Sequence, residues 1–80
     1  MPLDVSLLNP RKVIFSGKAR SIIVPGEQGV FEVLAFHKPI LSRLLSGILH
    51  IDRRRYPIER GIIKVNNNMV TIIAEEQVVQ

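Results

Sequence analysis

The side chains able to do chemistry are few and scattered. His37 and His50 are the only histidines, and there is no cysteine, so no metal-ligand spacing exists. Ser6, Ser16, Ser21, Ser42 and Ser46 sit in no nucleophile elbow and beside no base at triad spacing. The carboxylates Asp4, Glu27, Glu32, Asp52, Glu59, Glu75 and Glu76 fall mostly at turns or strand ends, where solvation accounts for them. Gly26 and Gly29 make no phosphate loop, because no Lys-Ser or Lys-Thr follows. Catalytic residues, metal ligands and cofactor-binding residues are therefore all expected to be none. A binding or structural module is the expectation.

A module of this kind needs a rigid frame for its contact surface. Eighty residues make one small domain, residues 1–80, with chain for a single thin core. Hydrophobic content is 46% but aromatics only 5%, so Ile, Val and Leu must build that core. Such β-branched composition favours strands. The lack of cysteine in so small a domain points to an intracellular compartment. No apolar run reaches the roughly 20 residues that span a bilayer, and the start, Met-Pro-Leu-Asp-Val, is unlike a signal peptide.

The formal net charge of +4 admits nucleic acid as a partner. Arg53, Arg54 and Arg55 cluster beside Tyr56, and a basic run with a stacking aromatic is what single-strand binders use. Phe15 and Phe31 lie in apolar strands and read as core, which leaves Tyr56 as the one platform. A solvated surface is the preferred reading of the charge, and a small basic β-domain binding single-stranded nucleic acid is the alternative function.

Along the chain, Asp4–Leu8 is a short apolar segment closed by Asn9-Pro10. Lys12–Ser16 reads as a strand ended by Gly17, and Arg20–Val24 as the next. Pro25 and Gly26 signal a turn with a tip of Gly26, Glu27, Gln28 and Gly29, and Val30–Leu34 follows as a strand. Ile40–Gly47 spaces its apolar residues as one helical turn would, and reads as a turn-rich bridge into a strand at Ile48–Asp52. Arg53–Arg55 tips a hairpin whose return limb, Tyr56–Glu59, holds Pro57 and so belongs at an edge. Gly61 resets the chain before Ile62–Val65. Asn66-Asn67-Asn68 then turns it into Met69–Ala74, and residues 75–80 form a fraying polar tail.

These elements predict an all-β, two-layer β-sandwich of about eight to ten short, mostly antiparallel strands. The inward set is Phe15, Ile22, Val24, Phe31, Val33, Leu49, Ile51, Ile63, Val65, Val70 and Ile72. Ile23, Ile48, Ile62 and Ile73 then point outward, and some of them should form an apolar patch for a partner.

The ordered set Phe15-Ser16-Gly17, Ile22 to Phe31 with its Pro-Gly-Glu-Gln-Gly core, His37-Lys38-Pro39-Ile40-Leu41, Leu45 to Ile51, and Gly61 to Asn68 followed by Val70 to Glu75 resembles a known family. It is similar to the N-terminal β-sandwich domain of the epsilon subunit of F-type rotary ATP synthases, over most of the chain. The resemblance implies a non-catalytic central-stalk subunit that binds the gamma subunit and contacts the membrane c-ring, coupling ion flow to ATP synthesis. The catalytic subunits would be met only indirectly, and no nucleic acid is expected. Location would be peripheral, on the cytoplasmic side of the inner membrane, through the complex only. By position, Glu27, Gln28, Gly29 and Val30 correspond to the ring-facing loop, and Asn9, His37 and Ser42 to the gamma-facing side, to which the outward Ile23 and Ile73 are added.

This chain also departs from the family. Glu32 stands where Gly is usual, and Ala35-Phe36 replaces a usual Pro-x pair, leaving Phe36 exposed or packed beneath the following turn. The hairpin with the arginines is short, and Gly61 alone remains of a common Gly-Gly pair. The C-terminal helical pair of many members, which binds ATP or inhibits the enzyme, is absent from the sequence, which ends at Gln80. Coupling without nucleotide-sensed inhibition is the corresponding expectation.

Overall fold

A computed structural model describes residues 2–78, and every regular element in it is a strand. In chain order these are β1 (Leu3–Leu8), β2 (Val13–Ala19), β3 (Ile22–Gly26), β4 (Gly29–Val33), β5 (Ile40–Leu44), β6 (Gly47–Ile51), β7 (Arg54–Asn66) and β8 (Met69–Glu76). β2, β1, β8, the second half of β7 and β5 lie side by side as one layer. β4, β3, β6 and the first part of β7 form the other. All pairings are antiparallel except β1 with β8. The expected two-layer sandwich is the fold.

One bent hairpin joins the layers. β7 pairs with β6 over Arg54–Ile58 and with β5 over Gly61–Val65, so β5 and β6 act as one strand broken at Leu45-Ser46. A register slip between Ile58 and Arg60 bends β7 opposite that break, as bulges do. At the corner the Leu45 N–H donates to the Pro25 carbonyl at 2.8 Å. A Cβ on Gly47 would come within 3.0 Å of the Pro25 ring, so the corner closes tightly there.

The Ile40–Gly47 bridge is thus a strand and a corner, not a helical turn. Ile40 and Leu44 share a face in either geometry, because four residues fit both periods. Pairing with β7 selects the strand, and Leu41 and Leu45 are left exposed. Gly61 does not end a strand: β7 runs through it, because the Ile73 carbonyl and the Ala74 Cβ crowd the position. Likewise β2 passes through Gly17 to Ala19. β3 starts at Ile22 rather than Arg20, because the N–H groups of Arg20 and Ser21 donate to Asp52 Oδ1 at 2.9 and 3.0 Å. Pro25 lies inside β3, which leaves Glu27-Gln28 alone as the turn. Pro57 sits one residue outside the β7–β8 ladder, an edge position as expected.

The core is aliphatic, with no buried polar or charged residue among the described ones. Ile22, Val24, Val33, Leu49, Ile51, Ile63, Val65, Val70 and Ile72 are buried as expected. Phe15 and Phe31 are half-buried and pack on its rim. Leu3, Val5 and Leu7 of β1 join them, because β1 lies between β2 and β8 and is not an edge. Ile58 is buried too, beside the exposed Pro57. Burying each large aliphatic side chain stabilises by about 1.5–3 kcal/mol. β8 continues through Glu75 and Glu76, where a frayed tail was expected, because Glu75 pairs with Arg60 and Gln77 N–H donates to the Pro57 carbonyl. Residues 79–80 of that tail lie outside the described part.

Candidate partner-binding surfaces

The β3–β4 hairpin ends in Glu27-Gln28, both exposed, between the facing Gly26 and Gly29. Gly29 has φ 122°, a conformation that favours glycine. A Cβ on Gly26 would lie 2.7 Å from the Phe31 ring, so the ring covers the backbone just below the tip. Val30 is 71% exposed. The four expected ring-facing residues, Glu27, Gln28, Gly29 and Val30, therefore form one projecting knob. Ser42 faces it from the inner side of β5 and shares a hollow of about 330 Å³ with Gly26–Phe31.

A second surface is the outer face of the β2-β1-β8-β7-β5 layer. Register places Val13 beside Leu8, Leu8 beside Ile73, and Ile73 beside Ile62, with Arg43 next on β5. Cross-strand partners share a face, so these apolar residues form one stripe across the layer. Ile62 and Ile73 are 49% and 52% exposed, and Val13 more so. Toward the corner the stripe opens into a groove of about 560 Å³ lined by Pro10, Leu45, Ile62 and Ile73. Arg43, Glu27 and the Arg60–Glu75 ion pair (3.4 Å) rim it. Glu27 thus belongs to both surfaces, and the groove runs up to the knob.

Asn9 lies beside this groove through its neighbour Pro10. Its side-chain oxygen accepts the N–H groups of Arg11 (2.7 Å) and Lys12 (2.9 Å), while Nδ2 donates to Glu76. The structure does not bring Ile23 to this face. Ile23 is half-buried on the outside of the opposite layer, between Glu32 and His50. His37 is in the β4–β5 loop, with Nδ1 2.7 Å from the Lys38 carbonyl. Leu8, Val13, Leu45 and Pro10 were not singled out from the sequence. A β-bulge between Leu7 and Leu8 shifts the alternation that would have revealed Val13.

Within the arginine cluster, Arg54 is engaged by the domain itself. The Arg54 guanidinium lies 5.5 Å from the Phe15 ring centroid, and Tyr56 meets Phe15 edge-on at 6.4 Å. Tyr56 is half-buried and packs against the core, while Arg53 and Arg55 stay exposed. No group of three or more His, Cys, Asp or Glu at metal-binding distance occurs among the described residues. No helix among them is long and apolar enough to cross a membrane.

A sequence profile for the ATP synthase, Delta/Epsilon chain, beta-sandwich domain matches residues 2–80. The chain belongs to this family. Among its relatives, the ATP synthase epsilon chain of Leptospira borgpetersenii is 34% identical over 91% of this chain and 61% of its own length. That of Chlorobaculum tepidum is 35% identical over 90% of this chain and 88% of its own. The chain therefore spans about three-fifths of the Leptospira relative. A chain in the Euglena gracilis mitochondrial ATP synthase, from a structure of its OSCP/F1/c-ring, superposes with a TM-score of 0.87 at 25% identity. That match covers 96% of this chain and 52% of the other. A chain of the Tetrahymena thermophila central stalk and c-ring structure shares the fold, with a TM-score of 0.80 at 15% identity over 95% of this chain and 65% of its own.

Proposed function

We propose that this domain is the sandwich of a central-stalk epsilon subunit of a rotary ATP synthase, a coupling element without catalysis of its own. It carries no cofactor. In this reading the gamma subunit covers the stripe Val13-Leu8-Ile73-Ile62 and its groove, and the Glu27–Val30 knob rests on the polar loops of the c-ring. Asn9 and Ser42 flank that footprint, and His37 lies at its far end. Ile23, on the other outer face, takes no part in it. The domain then sits peripherally on the cytoplasmic side of the inner membrane, held there by the complex, and helps couple ion flow to ATP synthesis.

The supporting observation is continuity. An apolar stripe left open to solvent on one layer leads by its groove to a projecting polar knob, so one domain offers an apolar protein contact and a second contact at its tip. Patches of exposed apolar surface mark partner interfaces. Because the chain has no cysteine, a single Gln28→Cys substitution gives a clean probe. In membranes carrying the assembled complex, the thiol introduced at the knob should form a disulfide with a cysteine placed in the c-ring loop. The thiol of a Lys64→Cys variant, on the layer's outer face, should not. Crosslinking from the Lys64→Cys variant but not from Gln28→Cys would reject this placement.

A further inference from the structure

The β6–β7 turn carries charge that the domain leaves unmatched. Arg53, Arg54 and Arg55 are exposed there, and Arg20 is exposed beside them, its N–H bonded to Asp52 Oδ1 at 2.9 Å. None of these four arginines stands in an ion pair among the described residues, where the pairs use Lys12, Lys18 and Arg60. Asp52 is the one carboxylate of the turn. Its Oδ1 accepts the backbone N–H groups of Arg20 and Ser21, so it serves the backbone and pairs with no guanidinium. The whole chain carries a formal +4, and four arginines around one carboxylate gather most of that excess in a single turn.

The turn also has a defined shape. The Arg54 guanidinium lies over the Phe15 ring, which restrains one of the cations. Next to it, Phe15, Lys18, Asp52, Arg53 and Arg54 line a hollow of about 390 Å³. Arg55 follows on the other face of β7, opposite His50. Cations therefore border a hollow on one face of the turn and continue around to the other. The turn sits at the start of β3, where Asp52 N–H bonds the Ser21 carbonyl, and the Glu27-Gln28 knob sits at its end. Five strand residues separate the two by about 15 Å. An occupant of the turn would leave the knob clear.

We propose that the β6–β7 turn is a docking site for an acidic protein segment, a run of Asp or Glu side chains that pair with Arg53, Arg54 and Arg55. This goes beyond the gamma and c-ring reading and does not depend on it. The guanidinium fork matches a carboxylate with two parallel hydrogen bonds, so arginines favour such a partner more than lysines would. A protein segment fits better than single-stranded nucleic acid. Strand binders track the backbone along a basic groove lined with aromatic platforms. Here the charge is confined to one turn, and Arg54 already covers the Phe15 ring.

The test titrates the chain with a capped oligoglutamate peptide, followed by backbone amide shifts, with oligoglutamine as the neutral counterpart. Oligoglutamate should shift residues 20–21 and 52–55 most, and oligoglutamine should shift nothing. Affinity should fall severalfold as salt rises from about 0.01 M to about 0.1 M. Arg53→Glu with Arg55→Glu should weaken binding about tenfold or more. Arg11→Glu with Lys64→Glu changes net charge equally at exposed positions elsewhere, and should weaken it less than about threefold. If the reversed pair at the turn melts early, Arg53→Gln with Arg55→Gln removes the same charges without adding new ones, and the same ordering is expected. The proposal is overturned if oligoglutamate does not bind, if its shifts spread over the basic residues at large, or if both charge-reversed pairs lose affinity alike. Tighter binding of a single-stranded oligothymidine at the same salt, lost in the Arg53 and Arg55 variants, overturns it in favour of nucleic acid.

Discussion

Asp52 and Ser21 clasp each other at the end of the β3–β6 ladder: Asp52 Oδ1 accepts the Ser21 N–H at 3.0 Å, and the Asp52 N–H donates to the Ser21 carbonyl at 2.9 Å. The same carboxylate oxygen accepts the Arg20 N–H. Residues 20–21 carry the chain from β2 in one layer to β3 in the other, so this clasp fixes the crossover to the β6–β7 turn. Asp52 also has φ 52°, which Asp and Asn tolerate better than Ala. Asp52→Ala should therefore cost about 1–2 kcal/mol, lost from charged hydrogen bonds and backbone fit. Asp52→Asn keeps an acceptor oxygen and should cost about half of that or less. Urea unfolding of both variants checks the ordering, and equal loss in the two would contradict it.

Gly61 makes a sharper prediction. A Cβ there would stand 2.7 Å from the Ile73 carbonyl and 3.0 Å from the Ala74 Cβ. Both belong to β8, so relief requires a strand to move rather than a side chain to rotate. Gly61→Ala should destabilise the domain by about 1–3 kcal/mol, and Gly61→Val by more. For a domain of this size, 1 kcal/mol corresponds to roughly 4–8 °C in melting temperature. A neutral Gly61→Ala would mean that β7 and β8 lie farther apart here than these distances require.

Much of this architecture can be read from local pattern, because strand period and turn chemistry are local. Asn67 and Asn68 have φ 50° and 60°, the signature of the tight hairpin turn that the Asn run predicts. The buried alternation of Ile63 with Val65, and of Val70 with Ile72, follows from period two. What escapes a local reading is set by pairing between distant segments. Gly61 looks like a terminator, but it is small because β8 comes close. Ile40–Leu44 fits two periods until β7 chooses one. The stripe is hidden for the same reason: Leu8, Ile73 and Ile62 become neighbours only through the parallel β1–β8 ladder and the β7–β8 hairpin. Its chemistry is apolar surface, which carries no motif. Neither the knob nor the stripe names what covers it, so a particular partner enters only as what the family resemblance implies.

Nucleotide should leave the domain unmoved. The sequence has no glycine-rich phosphate loop, and in the groove beside the stripe the cations Arg43 and Arg60 are matched by the carboxylates Glu27 and Glu75, with Arg60 and Glu75 paired at 3.4 Å. A ligand that binds only the folded state raises its stability in proportion to the logarithm of ligand concentration over Kd. With millimolar magnesium-ATP the melting temperature should stay within about 1 °C of its value without nucleotide, a shift equivalent to only a few tenths of a kcal/mol here. A rise of several degrees would reveal a nucleotide site on this domain.

Ile62 and Ile73 allow folding and binding to be separated. They face each other across β7 and β8 on the outer face, and each keeps about half of its surface in water, at 49% and 52%. Replacing both with Ser removes apolar contact between the two side chains but opens no cavity in the core, which lies on the other side of the layer beneath Ile63 and Ile72. The cost to the isolated domain should stay near 1 kcal/mol for each substitution, well short of the 2–5 kcal/mol expected for truncating a buried Leu or Ile. A cooperative melt a few degrees lower is the expected stability result. Against gamma, the same pair should lose about tenfold or more in affinity, because two central apolar contacts are replaced by hydroxyls that need new partners. Ile63→Ala supplies the contrast: it should unfold the domain readily, and any loss of binding should follow the loss of folded protein. If the double Ser variant unfolds as Ile63→Ala does, the stripe belongs to the domain's own stability. If it stays folded and binds gamma at full strength, the partner covers another face.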